Sequence, residues 1–214
     1  MNQHHKYINN LVDLNPELGP LVSSIEQAID LLHSCYIGGG TILTCGNGGS
    51  ASDAEHIVGE LMKGFALKRE LPPSEKSKFV DLYPDEGFDM SMNLQQGIPA
   101  VSLVSSSALM TAILNDLDPT YLFAQQIYSM GREGDVLIAI STSGNSLNVV
   151  NAAKVALAKG LSVIALTGEA GGMLENSATV SIKAPSPNVG RIQEYHLPIY
   201  HCLCLVLEDR CFGG

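Results

Sequence analysis

Apolar residues recur at helical spacing in the first part of the chain. Within residues 1–37 they share one face, and three successive glycines then end the pattern. The residues that mark this face are Leu21, Ile25, Ile29, Leu32 and Cys35. We therefore predict that 1–37 form an N-terminal helical extension.

Beyond this extension, apolar runs alternate with helix-like segments. The runs are TILTC, PAVSLV, DVLIAIS, LSVIALT and ATVSIKA. The helical segments lie at 52–66, at 107–131 with a break near Asp118 and Pro119, at 146–159 and at 191–210. Buried strands that alternate with helices are typical of a parallel sheet covered on both faces. The pattern predicts one α/β domain spanning 1–214, with a sheet of about five strands.

Residues 67–98 do not fit this alternation. They are polar, contain three prolines, and connect a helix to a strand where a few residues would suffice. A connection of this length is typical of a lid, an interface element or a mobile loop. A tolerated surface insertion explains it equally well.

The composition excludes several classes of protein. Of 214 residues, 45% are hydrophobic and 16% are charged, which is typical of a folded domain. A net charge of −10, with only 12 Lys and Arg, predicts neither nucleic acid nor anionic membrane as a partner. The segment MNQHHKYINN lacks the apolar core of a signal peptide, and no apolar run approaches the ~20 residues of a spanning helix. The five cysteines form no CxxC pair, so we expect free thiols and a cytoplasmic location.

Two turns rich in glycine and serine follow predicted strands and lead into predicted helices. They are GNGGS at 46–50 and STSGNS at 141–146. Small residues let backbone N–H groups approach a ligand, and a helix N-terminus favours an anion. The second turn also offers four hydroxyls. These turns favour a phosphorylated ligand, although residues of these types also serve as simple helix caps.

Titratable residues follow the first turn and recur in the last helix. Asp53, His56 and Glu60 share one helix face, and Gln193 and His201 point in a similar direction from the last helix. A His–Glu pair at this spacing is often only an exposed ion pair, and a histidine in an apolar helix is often a satisfied core residue. The spacing alone leaves these alternatives open.

Four segments together carry a more specific signature. They are CGNGGSASDAEHIVGEL, GREGDVLIAISTSGNSLNVV, ALTGEAGG and RIQEYHLPIYHCLCLVLE. In this order they resemble the sedoheptulose 7-phosphate isomerases, also called phosphoheptose isomerases, of the SIS (sugar isomerase) fold. The resemblance covers most of the chain apart from 67–98. It implies a flavodoxin-like α/β fold, usually assembled as a homotetramer, and conversion of sedoheptulose 7-phosphate to D-glycero-D-manno-heptose 7-phosphate for heptose biosynthesis.

The resemblance also implies roles for residues at matching positions. The phosphate would be bound by Ser141, Thr142, Ser143 and Ser146. The sugar would be contacted by Asn47, Gly48, Gly49, Ser50, Asp116 and Gln193. The catalytic pair would be Glu60 and His201. One Zn²⁺ per subunit would be held by His56, Glu60, Gln193 and His201.

These residue types suit isomerisation through an enediol. A carboxylate can move the carbon-bound proton while an imidazole serves the two oxygens, so we assign Glu60 as the base and His201 as its acid partner. We expect burial to raise the pKa of Glu60. Zinc could polarise the sugar oxygens, although ligation of both residues would restrict their proton transfer.

Two alternatives to this activity follow from the same resemblance. One is a non-catalytic SIS protein that binds a phosphosugar for regulation, as in a relative that associates with the bacterial replication initiator; such a protein is expected to lack the carboxylate or the histidine that this chain has. The other is an isomerase of a different phosphosugar. Gly190 stands where some members carry an acidic or hydroxyl side chain, and 67–98 directly follow the helix of Glu60. Both departures bear on the substrate more than on the reaction.

Overall fold

A parallel five-stranded sheet in the order β2-β1-β3-β4-β5 forms the centre of the molecule. The computed structural model describes residues 5–213. The strands are β1 (Ile42–Cys45), β2 (Ala100–Ser102), β3 (Val136–Ile140), β4 (Ser162–Gly168) and β5 (Val180–Ala184). All five predicted strands are therefore confirmed, and their order is that of flavodoxin-like folds.

Helices cover both faces of this sheet. They are α1 (His5–Leu14), α2 (Val22–Ile37), α3 (Gly49–Met62), α4 (Pro73–Leu82), α5 (Gly87–Asn93), α6 (Ser107–Asp116), α7 (Leu122–Met130), α8 (Leu147–Ala158), α9 (Gly172–Glu175) and α10 (Val189–Phe212). Short 3-10 turns at Pro16–Leu21 and Pro119–Tyr121 interrupt the first and third predicted helical segments. Proline lacks an N–H and fixes φ, which explains both interruptions. Residues 1–4 of the predicted extension lie outside the described part of the chain.

Two apolar cores lie on opposite sides of the sheet. One packs α1, α2, α3 and α10 against side chains such as Ile42 and Ile138. The other packs α6, α7 and α8 against Leu43 and Leu137. Successive residues of a strand point to opposite faces, so strands buried on both sides consist almost wholly of apolar residues. All five cysteines are free thiols, four of them buried.

The connections from β1 and β3 diverge at the carboxyl edge of the sheet. These neighbouring strands pair in parallel, with Cys45 opposite Ala139. From β1 the chain crosses to α3 on one face, whereas from β3 it crosses to α8 on the other. Reversal of strand order at this point leaves a crevice, where open α/β sheets bind their ligands.

The segment 67–98 is a folded helical hairpin. It contains α4 and α5, which pack on each other, and its two ends meet at an antiparallel bridge between Glu70 and Gln95. None of the residues of α4 is buried. The hairpin instead exposes apolar side chains, among them Leu82, Tyr83 and Phe88. Among the described residues, no helix combines the length and the apolar character needed to cross a bilayer.

Candidate active site

The two glycine–serine turns meet at the crevice. Asn47 in the first turn and Asn148 in the first turn of α8 exchange two amide hydrogen bonds, each 2.9 Å long. The residues lie 101 positions apart in sequence. One ligand can therefore contact both turns at once.

The first turn brings its backbone close to α10. Gly48 adopts φ 57°, a left-handed conformation that glycine accepts at little cost. A side chain at Gly49 would overlap the amide of Gln193, and one at Gly46 would overlap the backbone of Ser50. The glycines thus allow Gln193 to lie directly against the turn. This contact joins two of the predicted sugar-binding positions.

The second turn is fastened to the end of β4. Gly168 N–H donates to the Thr142 carbonyl (2.9 Å), and Leu174 N–H donates to the Gly144 carbonyl (2.9 Å). Gly144 has φ 66°, and a side chain there would overlap the backbone at Gly171. The conformation therefore depends on glycine at this position.

The hydroxyls of this turn surround the start of α8. Ser141 is buried and donates to Ser146 (3.1 Å), Thr142 is half-buried, and Ser143 is exposed and accepts a bond from Asn145 N–H (3.1 Å). Ser146 occupies the N-cap position of α8, a helix of 12 residues. The first N–H groups of that helix have no intrahelical acceptor, so together with the hydroxyls they form a cradle for an anion.

His56 is the centre of the titratable cluster. Its Nε2 lies 3.2 Å from Glu60 Oε1 and 3.5 Å from His201 Nε2. The second oxygen of Glu60 pairs with Lys63 Nζ at 2.8 Å. The structure thus brings together Glu60 and His201, the predicted catalytic pair, with His56 between them.

A hydrogen-bonded chain behind His56 orients its ring. His56 Nδ1 lies 2.9 Å from the Tyr200 hydroxyl, which is 3.4 Å from Asp53 Oδ1. If Tyr200 donates to Asp53, then His56 donates from Nδ1 and its Nε2 presents a lone pair to Glu60 and His201. If Tyr200 donates to His56, then Nε2–H donates to Glu60. The first arrangement suits a cation beside Nε2, the second a direct bond to the carboxylate.

The pKa of Glu60 differs from the sequence-based prediction. Burial raises the pKa of this carboxyl. The hydrogen bond and charge of Lys63, together with His56, lower the pKa by more than burial raises it, so that it lies below its ordinary value. The predicted rise is therefore wrong. Lys63 is one helical turn from Glu60 and reaches it from a largely exposed position. An ionised carboxylate at neutral pH is the result.

The pKa of His201 is also lowered. Burial is the main cause and the charge of His56 the next, while Glu60 opposes both. His201 is therefore a neutral imidazole at neutral pH. Asp53 has its pKa raised by burial, against the effects of Tyr200 and His56, and its Oδ2 is buried without a hydrogen-bond partner. The cluster thus contains one ionised carboxylate beside a neutral imidazole, as acid–base chemistry requires.

The side chains around His56 match zinc in ligand type. Tetrahedral zinc bound by nitrogen and oxygen has ligand atoms about 3.3 Å apart, and the two distances from His56 Nε2 are 3.2 and 3.5 Å. Within residues 5–213, however, no three His, Cys, Asp or Glu side chains already surround one point as a metal site. The ligand types therefore suit zinc, but these side chains do not converge on one point, and the zinc site stays a prediction.

Asp116 and Gly190 are placed differently from the rest. Asp116 lies exposed at the end of α6, where its carboxylate accepts a bond from its neighbour Asn115 (2.8 Å). Gly190 is exposed near the start of α10, and a side chain there would meet only Asn188 Oδ1 at 3.4 Å. The contact shown for Asp116 does not connect it to either turn, and its role stays a prediction.

Comparison with known proteins identifies the family. The chain matches the SIS domain family model over residues 6–78 and 92–168. It is 39% identical over 195 residues to the phosphoheptose isomerase of Shewanella frigidimarina, which covers 90% of this chain and 86% of that protein. The chain belongs to the phosphoheptose isomerase family. The family resemblance drawn from the four sequence segments is thereby confirmed.

Solved phosphoheptose isomerases have the same fold. The Neisseria gonorrhoeae structure is 32% identical with a TM-score of 0.72, covering 97% of this chain and 94% of that one. The Francisella tularensis structure is 31% identical with a TM-score of 0.75 and covers 96% of each chain. The interval that the family model leaves unmatched, 79–91, falls within the α4–α5 hairpin. The family model thus leaves out the end of α4 and the start of α5, while the rest of 67–98 falls within the matched residues.

Proposed function

We propose that this protein converts sedoheptulose 7-phosphate to D-glycero-D-manno-heptose 7-phosphate, a step in heptose precursor biosynthesis. Membership of the phosphoheptose isomerase family supports this. The observation that carries it is the placement of α10, because Gln193 lies against the first turn and His201 lies in the cluster with Glu60. A sugar seated on the turn then reaches the proton-transfer residues.

The phosphate is bound at the second turn and the sugar at the first. The hydroxyls of Ser141, Thr142, Ser143 and Ser146, with the N-terminus of α8, form the anion cradle. Asn47, Gly48, Gly49, Ser50 and Gln193 face the sugar hydroxyls, and Asp116 is proposed to join them. The reciprocal Asn47–Asn148 pair sets the spacing between the two halves.

Glu60 and His201 move the two protons of the isomerisation. The ionised Glu60 takes the proton from C1 of the ketose, while the neutral His201 gives a proton to the C2 oxygen, producing an enediol. His201 then takes the proton from the O1 hydroxyl, and Glu60 returns its proton to C2. The product is the aldose, and both residues regain their starting states.

A zinc ion is proposed as one per subunit. His56, Glu60, Gln193 and His201 would hold it, with Tyr200 orienting His56 from behind. When bound, zinc supplies Lewis-acid polarisation of the sugar oxygens. Glu60 would ligate it through Oε1, the oxygen that faces His56, while Lys63 pairs with Oε2.

We also propose a cytoplasmic homotetramer. The family resemblance supports this, and exposed apolar side chains along α6 and after it give it a surface to bury, among them Leu109, Leu114 and Leu117. Sedimentation velocity measures the assembly directly. A monomer at micromolar concentration would refute the tetramer without affecting the proposed reaction.

Turnover of the named substrate tests the proposed activity. Purified protein is incubated with sedoheptulose 7-phosphate in D₂O, with and without added zinc, and zinc is measured in the same sample. We expect an aldose phosphate with deuterium at C2, observed by NMR, because an enediol exchanges its proton with solvent. A folded protein that gives no product under either condition contradicts the proposal.

A second candidate is an isomerase of another phosphosugar. The α4–α5 hairpin contains the first helices after α3. Gly190 leaves open space at a position where some members of the family carry an acidic or hydroxyl side chain. A panel of ketose and aldose phosphates of five to seven carbons separates the two candidates. A larger kcat/KM for a substrate other than sedoheptulose 7-phosphate would favour this second activity.

A further inference from the structure

A buried ion pair lies beside the candidate active site. Arg69 Nε donates to Glu208 Oε1 over 2.7 Å, and the two side chains are 0% and 1% exposed. Arg69 follows α3, and Glu208 lies two helical turns after His201 on α10. Such a pair is weak evidence for stability, since apolar residues often replace one without loss. The partners of each charge are more informative.

Arg69 holds the C-terminal end of α3. Its NH1 donates to the Leu61 carbonyl at 2.6 Å, and its NH2 donates to the Glu60 carbonyl at 3.1 Å. Helix α3 ends at Met62, so these carbonyls are among the last four, which lack intrahelical donors. The guanidinium therefore fixes the peptide group of Glu60 itself.

Glu208 holds the segment that follows α3. Its carboxylate accepts backbone N–H bonds from Phe65 (2.8 Å), Ala66 (2.7 Å) and Leu67 (3.1 Å). The Phe65 ring meets the ring of His201 edge-on, with centroids 5.3 Å apart. The carboxylate thus fixes the backbone of a residue that packs on His201.

We propose that Arg69 and Glu208 are positioning residues for the reaction, acting on Glu60 through its carbonyl and on His201 through Phe65. The proposal rests on the proposed function. A hydrogen-bonded network centred on this buried ion pair holds the backbone of Glu60 and of Phe65, which packs on His201. Its loss should misplace the reacting groups while leaving the phosphate cradle at α8 unchanged.

Steady-state kinetics of Arg69→Met test the Glu60 arm, and those of Glu208→Gln test the His201 arm. A displacement of catalytic groups by about 1 Å lowers turnover by roughly 100-fold. We expect kcat with sedoheptulose 7-phosphate to fall by about 10–100-fold, with KM changed less than about threefold because the cradle is intact. Arg210→Met is the matched control, since it removes the Arg210–Asp30 ion pair (2.6 Å) elsewhere on α10. That variant should keep the kcat of the unmodified protein.

Arg69→Lys provides a second variant should Arg69→Met not fold. Lysine keeps the charge but cannot bridge Glu208 and both carbonyls with a planar group, so we expect a partial loss of kcat. A folded Arg69→Met or Arg69→Lys protein with unchanged kcat overturns the positioning role. A rise in KM at constant kcat also overturns it.

An independent measurement separates this proposal from the proposed function. Ring resonances of His56 and His201 are recorded by NMR in the unmodified protein, Arg69→Met and Arg210→Met. We expect both rings to shift in Arg69→Met and neither to shift in Arg210→Met. If the unmodified protein has no turnover, the proposed function fails, whereas unshifted rings in folded Arg69→Met refute the positioning network.

Discussion

Glu60 has a basic partner for each of its two oxygens. Lys63 pairs with Oε2 at 2.8 Å and His56 lies 3.2 Å from Oε1. This arrangement keeps the carboxylate ionised at neutral pH although it is half-buried. Such a carboxylate can accept a proton at neutral pH without first losing one. Because its pKa is not raised, the rate of proton transfer must depend on the position of the substrate.

Glu60→Gln should remove turnover and keep binding. An amide of the same size cannot accept the carbon-bound proton, so we expect kcat to fall by at least about 100–10,000-fold. Affinity for sedoheptulose 7-phosphate, measured by calorimetry, should change little because the phosphate is bound at α8. The matched control is Glu55→Gln on the same helix, which affects an exposed carboxylate bonded to Ser105. Wild-type kcat in Glu60→Gln would exclude Glu60 as the base.

We expect His196 to make stability depend on pH. It is 0% exposed, its Nε2 lies 3.2 Å from the Thr167 carbonyl, and its Nδ1 has no hydrogen-bond partner. Burial lowers the pKa of this histidine, against the bond to Thr167. The unfolded chain therefore binds a proton below about pH 6.5 that the native state does not bind, and stability falls as pH falls.

His196→Leu should reduce this dependence. Unfolding by urea at fixed protein concentration gives the free energy of unfolding at pH 7.5 and pH 5.5. We expect the unmodified protein to lose more of that free energy than the variant over this range, by at most about 1.4 kcal/mol per pH unit for one proton. Equal losses in the two proteins would show that His196 is not the residue responsible.

At the scale of elements, the turn before α8 is fixed by its neighbour. Hydrogen bonds from Gly168 and Leu174 hold it, and its backbone at Gly144 touches Gly171. The cradle therefore keeps its shape without a ligand. Because the anion site includes backbone N–H groups as well as hydroxyls, a change in main-chain conformation should alter affinity more than turnover.

Gly144→Ala tests this dependence. Alanine at φ 66° costs about 1–2 kcal/mol, and its methyl group also overlaps the Gly171 carbonyl. We expect a higher KM, a smaller change in kcat and a lower melting temperature. Gly59→Ala on α3 is the control, since nothing lies within 4 Å of the added carbon. An unchanged KM in a folded Gly144→Ala protein would contradict the role of this turn.

The elements were predictable where burial determines composition. Strands such as β3, with all five residues buried, are recognisable as apolar runs. Helix α4 buries none of its residues, so no apolar periodicity marks it, and the hairpin was expected only as a long connection. The four-residue α9 is too short to leave a pattern.

The candidate site was predictable in part. The spacing on α3 places His56 and Glu60 on one face. Lys63 follows Glu60 by three residues, a spacing that also brings helical side chains together. The prediction for the pKa of Glu60 considered burial and omitted that lysine, hence its wrong direction. Arg69 and Glu208 are 139 residues apart, and no local pattern links them. Only the packing of α10 beside α3 reveals them.

At the scale of the whole molecule, the α4–α5 hairpin lies outside the two apolar cores, and its two ends pair with each other. Glu70 and Gln95 pair at its base, and Gln96 N–H donates to the Arg69 carbonyl at 2.7 Å. The core of the domain is complete without it, because both apolar cores are formed by other elements. The chain therefore enters and leaves the hairpin at almost the same place.

Replacing 71–94 with two glycines should leave a folded domain. A two-residue connection closes antiparallel ends that already pair. We expect native-like circular dichroism and a free energy of unfolding close to that of the full chain, and the phosphosugar panel then shows whether the hairpin selects the substrate. Failure of the shortened chain to fold, when Gly59→Ala folds normally, would show that the hairpin is part of the domain.

The amide pair of Asn47 and Asn148 has a consequence for ligand discrimination. Before a sugar binds, each of these groups already has a partner at 2.9 Å. A hydroxyl that bonds to Asn47 takes the place of Asn148, so sugar recognition is an exchange of partners with little net gain in free energy. The phosphate, by contrast, accepts hydrogen bonds from N–H groups at the start of α8 that have no intrahelical acceptor. Phosphosugars that differ by one hydroxyl should therefore bind the protein with similar affinity and differ mainly in their rate of turnover.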